Sequence, residues 1–174
     1  MDQKNSQLRH SAKYGLITGG IIVLFQLMLY IFGMLNNQKL NNITFFIIVI
    51  GLFISVKHFR DRINGGLLNF GKAFGVGILT CLFMGIAVAV YTYFQYKFFS
   101  PHLMEQLLLE TEDRLARWNF SDEILEQQIN MMHQIVTPLF VSFSSVLGTV
   151  IWGALLSLLT ALLLKRDENP LLIK

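Results

Sequence analysis

Few residues in this chain carry the chemistry of an active site, and their spacing argues against most of it. The histidines are His10, His58, His102 and His133. His102 and His133 flank one polar stretch and, with Glu105, are of the types that ligate zinc. Two histidines 31 residues apart are a weak metal signature, and solvated surface histidines are the better reading. Cys81, the single cysteine, lies in the middle of an apolar run. It can form no intrachain disulfide and reads as a small packing residue rather than a reactive thiol. A basic cluster of Lys57, Arg60, Arg62 and Lys72 surrounds Asp61. Its chemistry would be the capture of an anionic lipid headgroup by Arg60, Arg62 and Lys72. The plainer reading is an interfacial charge anchor with Asp61 in a surface ion pair. Gln26, Ser142, Ser145 and Thr149 are the polar groups that a solute path would use, although membrane hydroxyls more often bond to their own backbone or to a neighbouring helix. No G-x-S-x-G, H-E-x-x-H or phosphate-binding glycine loop occurs. No charge sits inside an apolar run, where proton relays and ion-coupled carriers place one. The expectation is a protein that is not an enzyme and uses no metal or cofactor.

The elements that must position these groups are apolar and long. Of the 174 residues, 53% are hydrophobic and 14% charged, against about 25% charged in soluble domains. The apolar residues run unbroken, which points to a bilayer rather than a soluble core. The basic residues gather at the ends of these runs and form no basic face, so nucleic acid is excluded as a partner. Four spans are expected at about 14–35, 40–59, 73–97 and 138–164. The first follows a basic start, but it is too long for a secretory leader and no small-residue cleavage site follows it. The second reaches span length only if Lys57 and Arg60 snorkel to the interface. A polar turn, Asn36–Asn42, joins the first two spans, and Gly65-Gly66 breaks the chain before the third.

Small residues recur in the spans at helical spacing. Ala73, Gly77, Cys81, Gly85 and Ala89 return every fourth residue, which lays a smooth strip along one face of the third span. Gly15 and Gly19, Ser144 and Gly148, and Gly153 and Ser157 are further small-xxx-small pairs. These are the positions where helices can approach closely.

Residues 101–134 form the one sizeable excursion outside the membrane, read as two amphipathic helices. Ser100-Pro101 starts the first, with Ser as cap and Pro in the first turn. Asn119-Phe120 interrupts, and Ser121-Asp122-Glu123 starts the second. Leu125, Ile129, Met132 and Val136 make the second helix's apolar stripe. With the N-terminus inside, the inner segments hold Lys4, Arg9, Lys13, Lys57, Arg60, Arg62, Lys72, Lys165, Arg166 and Lys174, and the outer ones hold Lys39, Lys97, Arg114 and Arg117. That asymmetry places both termini in the cytoplasm and the acidic helical pair outside.

The sequence R-D-x-x-x-G-G, then F-G-K-A-F, carries Arg60, Asp61, Gly65, Gly66, Phe70, Gly71, Lys72, Ala73 and Phe74. Met131-Met132 and Pro138 come before the Gly/Ser-rich last span. From about Lys13 to Lys165 this pattern resembles the bacterial inner-membrane family catalogued as domain of unknown function 4199. The resemblance implies a bacterial inner membrane and supplies no activity. The whole reads as an all-α, polytopic, four-span protein with a two-helix excursion between the third and fourth spans. Its expected role is that of a non-enzymatic scaffold or accessory subunit. Its expected partners are the lipid bilayer and either a second copy or another membrane protein. The alternative is a small oligomeric transporter or channel for an uncharged or lipid-like solute.

Overall fold

The computed structural model describes residues 2–35, 38–118 and 120–166, without the side chains of 2, 3, 38 and 41. Asn36 and Asn37 of the first turn, Asn119 between the outer helices and Lys174 of the inner charge set lie outside the described residues. The elements are α1 (Asp2–Ile31), α2 (Gln38–His58), α3 (Phe70–Phe94), α4 (Pro101–Ala116), α5 (Asp122–Ile135) and α6 (Pro138–Leu164). Among the described residues there is no strand, only an isolated antiparallel bridge between Leu68 and Arg166. Four helical stretches are long and apolar enough to cross a membrane: Lys4–Ile31, Asn42–Ile63, Phe70–Phe99 and Pro138–Leu164. The protein is an all-α polytopic membrane protein. Its exposed surface agrees, since Leu24, Ile31 and Leu163 are 68, 77 and 76% exposed. Such side chains face lipid at no cost, whereas in water they would form a patch that demands a partner.

The first helix differs most from the expected span. α1 begins at Asp2, twelve residues ahead of Tyr14, where the apolar run starts. The polar turns are mostly exposed but are anchored at His10 and Ser11, which are buried. Ser11 is fully buried, and its Oγ donates to the Val76 carbonyl at 3.3 Å. α2 runs into a π-helical turn, Phe59–Ile63, closed by the Asn64 N–H reaching back five residues to the Phe59 carbonyl at 3.0 Å. The longer hydrogen-bonded loop widens the helix locally and redirects the chain beyond it. Gly65 and Gly66 then take φ of +64° and +84°, the left-handed region that residues with a Cβ avoid. The Asn69 Oδ1 accepts from the Lys72 N–H at 2.9 Å and so caps the start of α3. We expect Gly66→Val to cost about 1–2 kcal/mol from backbone strain alone. Gly71→Ala, with nothing within 4 Å of its new methyl, serves as the tolerated control. Equal thermal midpoints for the two variants in detergent would remove the strain argument.

The chain divides into two compact units, Met1–Val88 with Val146–Lys174, and Ala89–Ser145. In the first, α3 lies between α1 and α6 and is pressed close to both by small residues. A Cβ on Gly15 would fall 2.5 Å from the Thr80 carbonyl oxygen, and one on Gly19 would fall 2.8 Å from the Ala87 methyl. On the other face of α3, a Cβ on Gly77 would meet the Ser157 Cβ at 2.7 Å, and one on Gly85 the Thr149 Cβ at 3.3 Å. From α6, a Cβ on Gly153 would meet the Cys81 Cβ at 2.6 Å. Below this zip lies a cluster of Val56, Phe59, Leu68, Ala73, Val76, Ala161 and Leu164. The Leu68–Arg166 bridge ties the loop before α3 to the end of α6 through bonds of 2.9 and 2.8 Å. Between lipid-facing helices water supplies no drive to associate, so close van der Waals approach of this kind is what holds them.

In the second unit α4 and α5 pair. His133 Nε2 and Glu112 Oε1 meet at 2.5 Å, and Met132 is the buried residue of α5. Neither helix start uses its serine as expected. Ser100 and Ser121 make no side-chain cap bond, and their backbone carbonyls accept from Leu103 and Leu125 at 3.0 and 2.9 Å instead. Ser100 is buried with its hydroxyl unpartnered, so the fixed φ of Pro101 is what starts α4.

Candidate functional site

The groups with most capacity for chemistry converge where α1 begins and α2 ends. His10 is buried, and its Nε2 lies 2.9 Å from the Ser55 carbonyl oxygen. A carbonyl only accepts, so Nε2 carries the proton and Nδ1 is the second ring nitrogen. The ring sits among three others: Tyr14 at 4.6 Å, His58 stacked at 5.4 Å and Phe59 edge-on at 5.3 Å. Ser55 continues the polar line inward through its hydroxyl to Thr80 Oγ1 at 2.9 Å, and Thr80 donates to the Val76 carbonyl at 2.8 Å. These bonds run from α1 through α2 to α3 and pin the three helices together.

Two clefts open around the pin. One, of about 390 Å³, is lined by Lys4, Ser6, Gln7, Phe59, Ile63, Asn64 and Lys72. The other, of about 510 Å³, includes Arg9, His10, Lys13, Tyr14 and His58 and shares Ser6 and Ile63 with the first. The π turn at Phe59–Ile63 presents Phe59 and Ile63 to this region.

The sequence-derived headgroup trio is split by the structure. Lys72 lines the first cleft. Arg60 is bound through Nε to Asp61 Oδ1 at 2.7 Å, and Arg62 lines neither cleft. Sequence reasoning missed Lys4, Arg9, Lys13 and His10 as site residues. The signal available was the i, i+4 spacing of Arg9 and Lys13, which puts both on one face if the helix starts early.

The small-residue positions fall mostly at helix contacts. Ala73, Gly77, Cys81 and Gly85 are buried, as are Gly15, Gly19, Gly153 and Ser157. Gly148 differs: nothing lies within 4 Å of where its Cβ would stand, so it makes no close contact. Ala89 and Ser144 are half-buried in the second unit. Of the polar-path candidates, Gln26 is half-buried, and Ser142 and Ser145 donate to the Pro138 and Ser142 carbonyls at 2.6 and 2.7 Å. Thr149 lies against Gly85.

On the outer pair, Met132 of the expected stripe is buried and Leu125, Ile129 and Val136 are half-buried. A second stripe, Ile124, Met131 and Ile135, is exposed at 46, 46 and 48%. The spacing i, i+7, i+11 puts these three on one face, so α5 is apolar over a wider arc than the single stripe indicated. Trp118 and Phe120 are also exposed in the turn before α5, with ring centroids 6.0 Å apart. Among the described residues no three His, Cys, Asp or Glu side chains gather to hold a metal.

The family described as "Protein of unknown function (DUF4199)" matches residues 13–166. No curated protein and no solved structure matches the chain.

Proposed function

The chain belongs to the DUF4199 family, and we propose that it is a non-catalytic accessory subunit of a bacterial inner membrane that docks another membrane protein on the outer face of α5. One observation carries the proposal: the exposed apolar stripe of Ile124, Met131 and Ile135 on a helix whose other apolar stripe is buried or half-buried. Charge selects the occupant. Between Pro101 and Ile135 stand seven acids, Glu105, Glu110, Glu112, Asp113, Asp122, Glu123 and Glu126, against Arg114 and Arg117. A second copy would set like charges face to face, whereas a partner with a basic rim would complement them. The ten-to-four distribution of Lys and Arg supports cytoplasmic termini and an outer α4–α5 pair. The self-bonded hydroxyls of Ser142 and Ser145 favour this reading over a solute path.

Photocrosslinking residues placed singly at Ile124, Met131 and Ile135 in native membranes should give one discrete adduct with one membrane protein. Glu126, about 200° away around the helix from Ile124, should give none. The Met131→Glu change should abolish the adduct formed from Ile124. Adducts to lipid alone, adducts to a second copy, or equal labelling from Glu126 would each overturn the proposal.

A further inference from the structure

We infer that the paired clefts at the basic end of the first unit bind a phosphate-bearing anion, a monoester or a diester, with Lys4 and Lys72 holding it in the first cleft and Arg9 and Lys13 in the second. Three observations carry this beyond a general excess of positive charge. First, the cations of the first cleft come from different helices and converge on concave space. Lys4 lies on α1 and Lys72 on α3, and the cleft between them measures about 390 Å³, which is within the range of about 300–1,000 Å³ found for ligand sites. Second, among the described residues no carboxylate lines either cleft. Asp61, which belongs to the same basic sequence cluster, is held by Arg60 at 2.7 Å. An entering anion meets no like charge from the described residues that line the clefts. Third, the walls supply uncharged hydrogen-bonding groups beside the charges: Ser6, Gln7 and Asn64 in the first cleft, and Asn5 and Tyr14 in the second. A phosphate oxygen needs such donors once its water is stripped away. The His10 pin holds one wall of the second cleft, because its ring is bonded to Ser55 and packed against Tyr14, His58 and Phe59. The site is thus shaped before the ligand arrives, which lowers the ordering cost of binding. Phe59 and Ile63 give the first cleft an apolar wall suited to the carbon frame next to a phosphate.

The shared ligand chemistry has two sources, the headgroup of an anionic lipid or a soluble phosphate, and one experiment separates them. The full chain is reconstituted in nanodiscs of phosphatidylcholine with a minority of phosphatidylglycerol, and retained lipids are counted by native mass spectrometry. Inorganic phosphate is titrated calorimetrically into the protein held in a neutral detergent. Each cation near a phosphate-rich surface contributes about a fivefold factor in affinity. The Lys4→Gln/Lys72→Gln variant should therefore lose about twenty- to thirtyfold in retention of phosphatidylglycerol or in phosphate affinity, whichever the wild type shows. The Lys39→Gln variant, altered in the first turn of α2, should retain wild-type binding. Lys4→Arg/Lys72→Arg should restore binding, which shows that charge rather than folding was lost. Retention of anionic lipid with no phosphate signal assigns the site to a headgroup, and the converse assigns it to a soluble anion. No binding in either arm, equal loss in Lys39→Gln, or unchanged binding in Lys4→Gln/Lys72→Gln would overturn the inference.

Discussion

Gly15→Ala should destabilise the bundle by about 1–3 kcal/mol, as overpacking of a close-packed interior does, while Gly20→Ala on the same helix should cost nothing measurable. The added methyl at Gly15 would lie 2.5 Å from the Thr80 carbonyl oxygen and 2.7 Å from the Phe83 Cβ. The first of these neighbours is backbone and cannot rotate away. Either α1 moves off α3 or the helix bends, and both lose contacts along the whole interface. At Gly20 no heavy atom lies within 4 Å of the new methyl, and alanine is the better helix former. The buried Cys81, the chain's single cysteine, supplies the readout. A maleimide dye labels it only when the bundle opens, so the labelling midpoint on heating follows stability. Gly15→Leu should lower that midpoint further, since its branch cannot fit between Thr80 and Phe83. Identical midpoints for Gly15→Ala and Gly20→Ala would mean that α1 and α3 are not packed as described.

His10→Ala should be the most damaging change at the basic end, at about 2–4 kcal/mol, because it removes a buried ring together with a buried hydrogen bond. His10 is 7% exposed and packs on Tyr14, His58 and Phe59 while binding the Ser55 carbonyl. The two contributions separate by a pair of variants. His10→Phe keeps a ring in the stack and removes the donor, and should cost about 1 kcal/mol. His10→Ala removes both. The Cys81 labelling midpoint again reports the effect, and limited proteolysis near Arg60 reports the local one, because the Ser55 end of α2 loses its tie to α1. Equal stability of His10→Ala and the wild type would show that the N-terminal turns of α1 are not pinned.

How legible each feature was in the residues depended on the range of the interactions behind it. Spanning segments were legible because they depend on composition averaged over about twenty residues, where each apolar side chain adds independently. The ends were less legible. The helix runs on to Asp2, and its polar turns are tied down where Ser11 and His10 find partners 65 and 45 residues away in the chain. Local polarity alone reads that stretch as a charged tail. The α5 stripe shows the same limit. Periodicity identified an apolar face through Leu125 and Met132, but the part left uncovered, Ile124, Met131 and Ile135, depends on what packs against the rest.

By itself the sequence determined that this chain crosses a membrane with four helices, that Gly65-Gly66 breaks the path before the third, and where small residues permit close approach. These follow from side-chain chemistry and spacing along one helix, which need no knowledge of neighbours. Only the tertiary structure decided that α3 receives α1 on one face and α6 on the other, that Gly148 is left open while Gly153 is filled by Cys81, that Lys72 lines a cleft with Lys4 and that Arg60 pairs with Asp61. Those outcomes depend on which distant surfaces meet, and a packed interface between helices is a property of pairs that no single segment encodes.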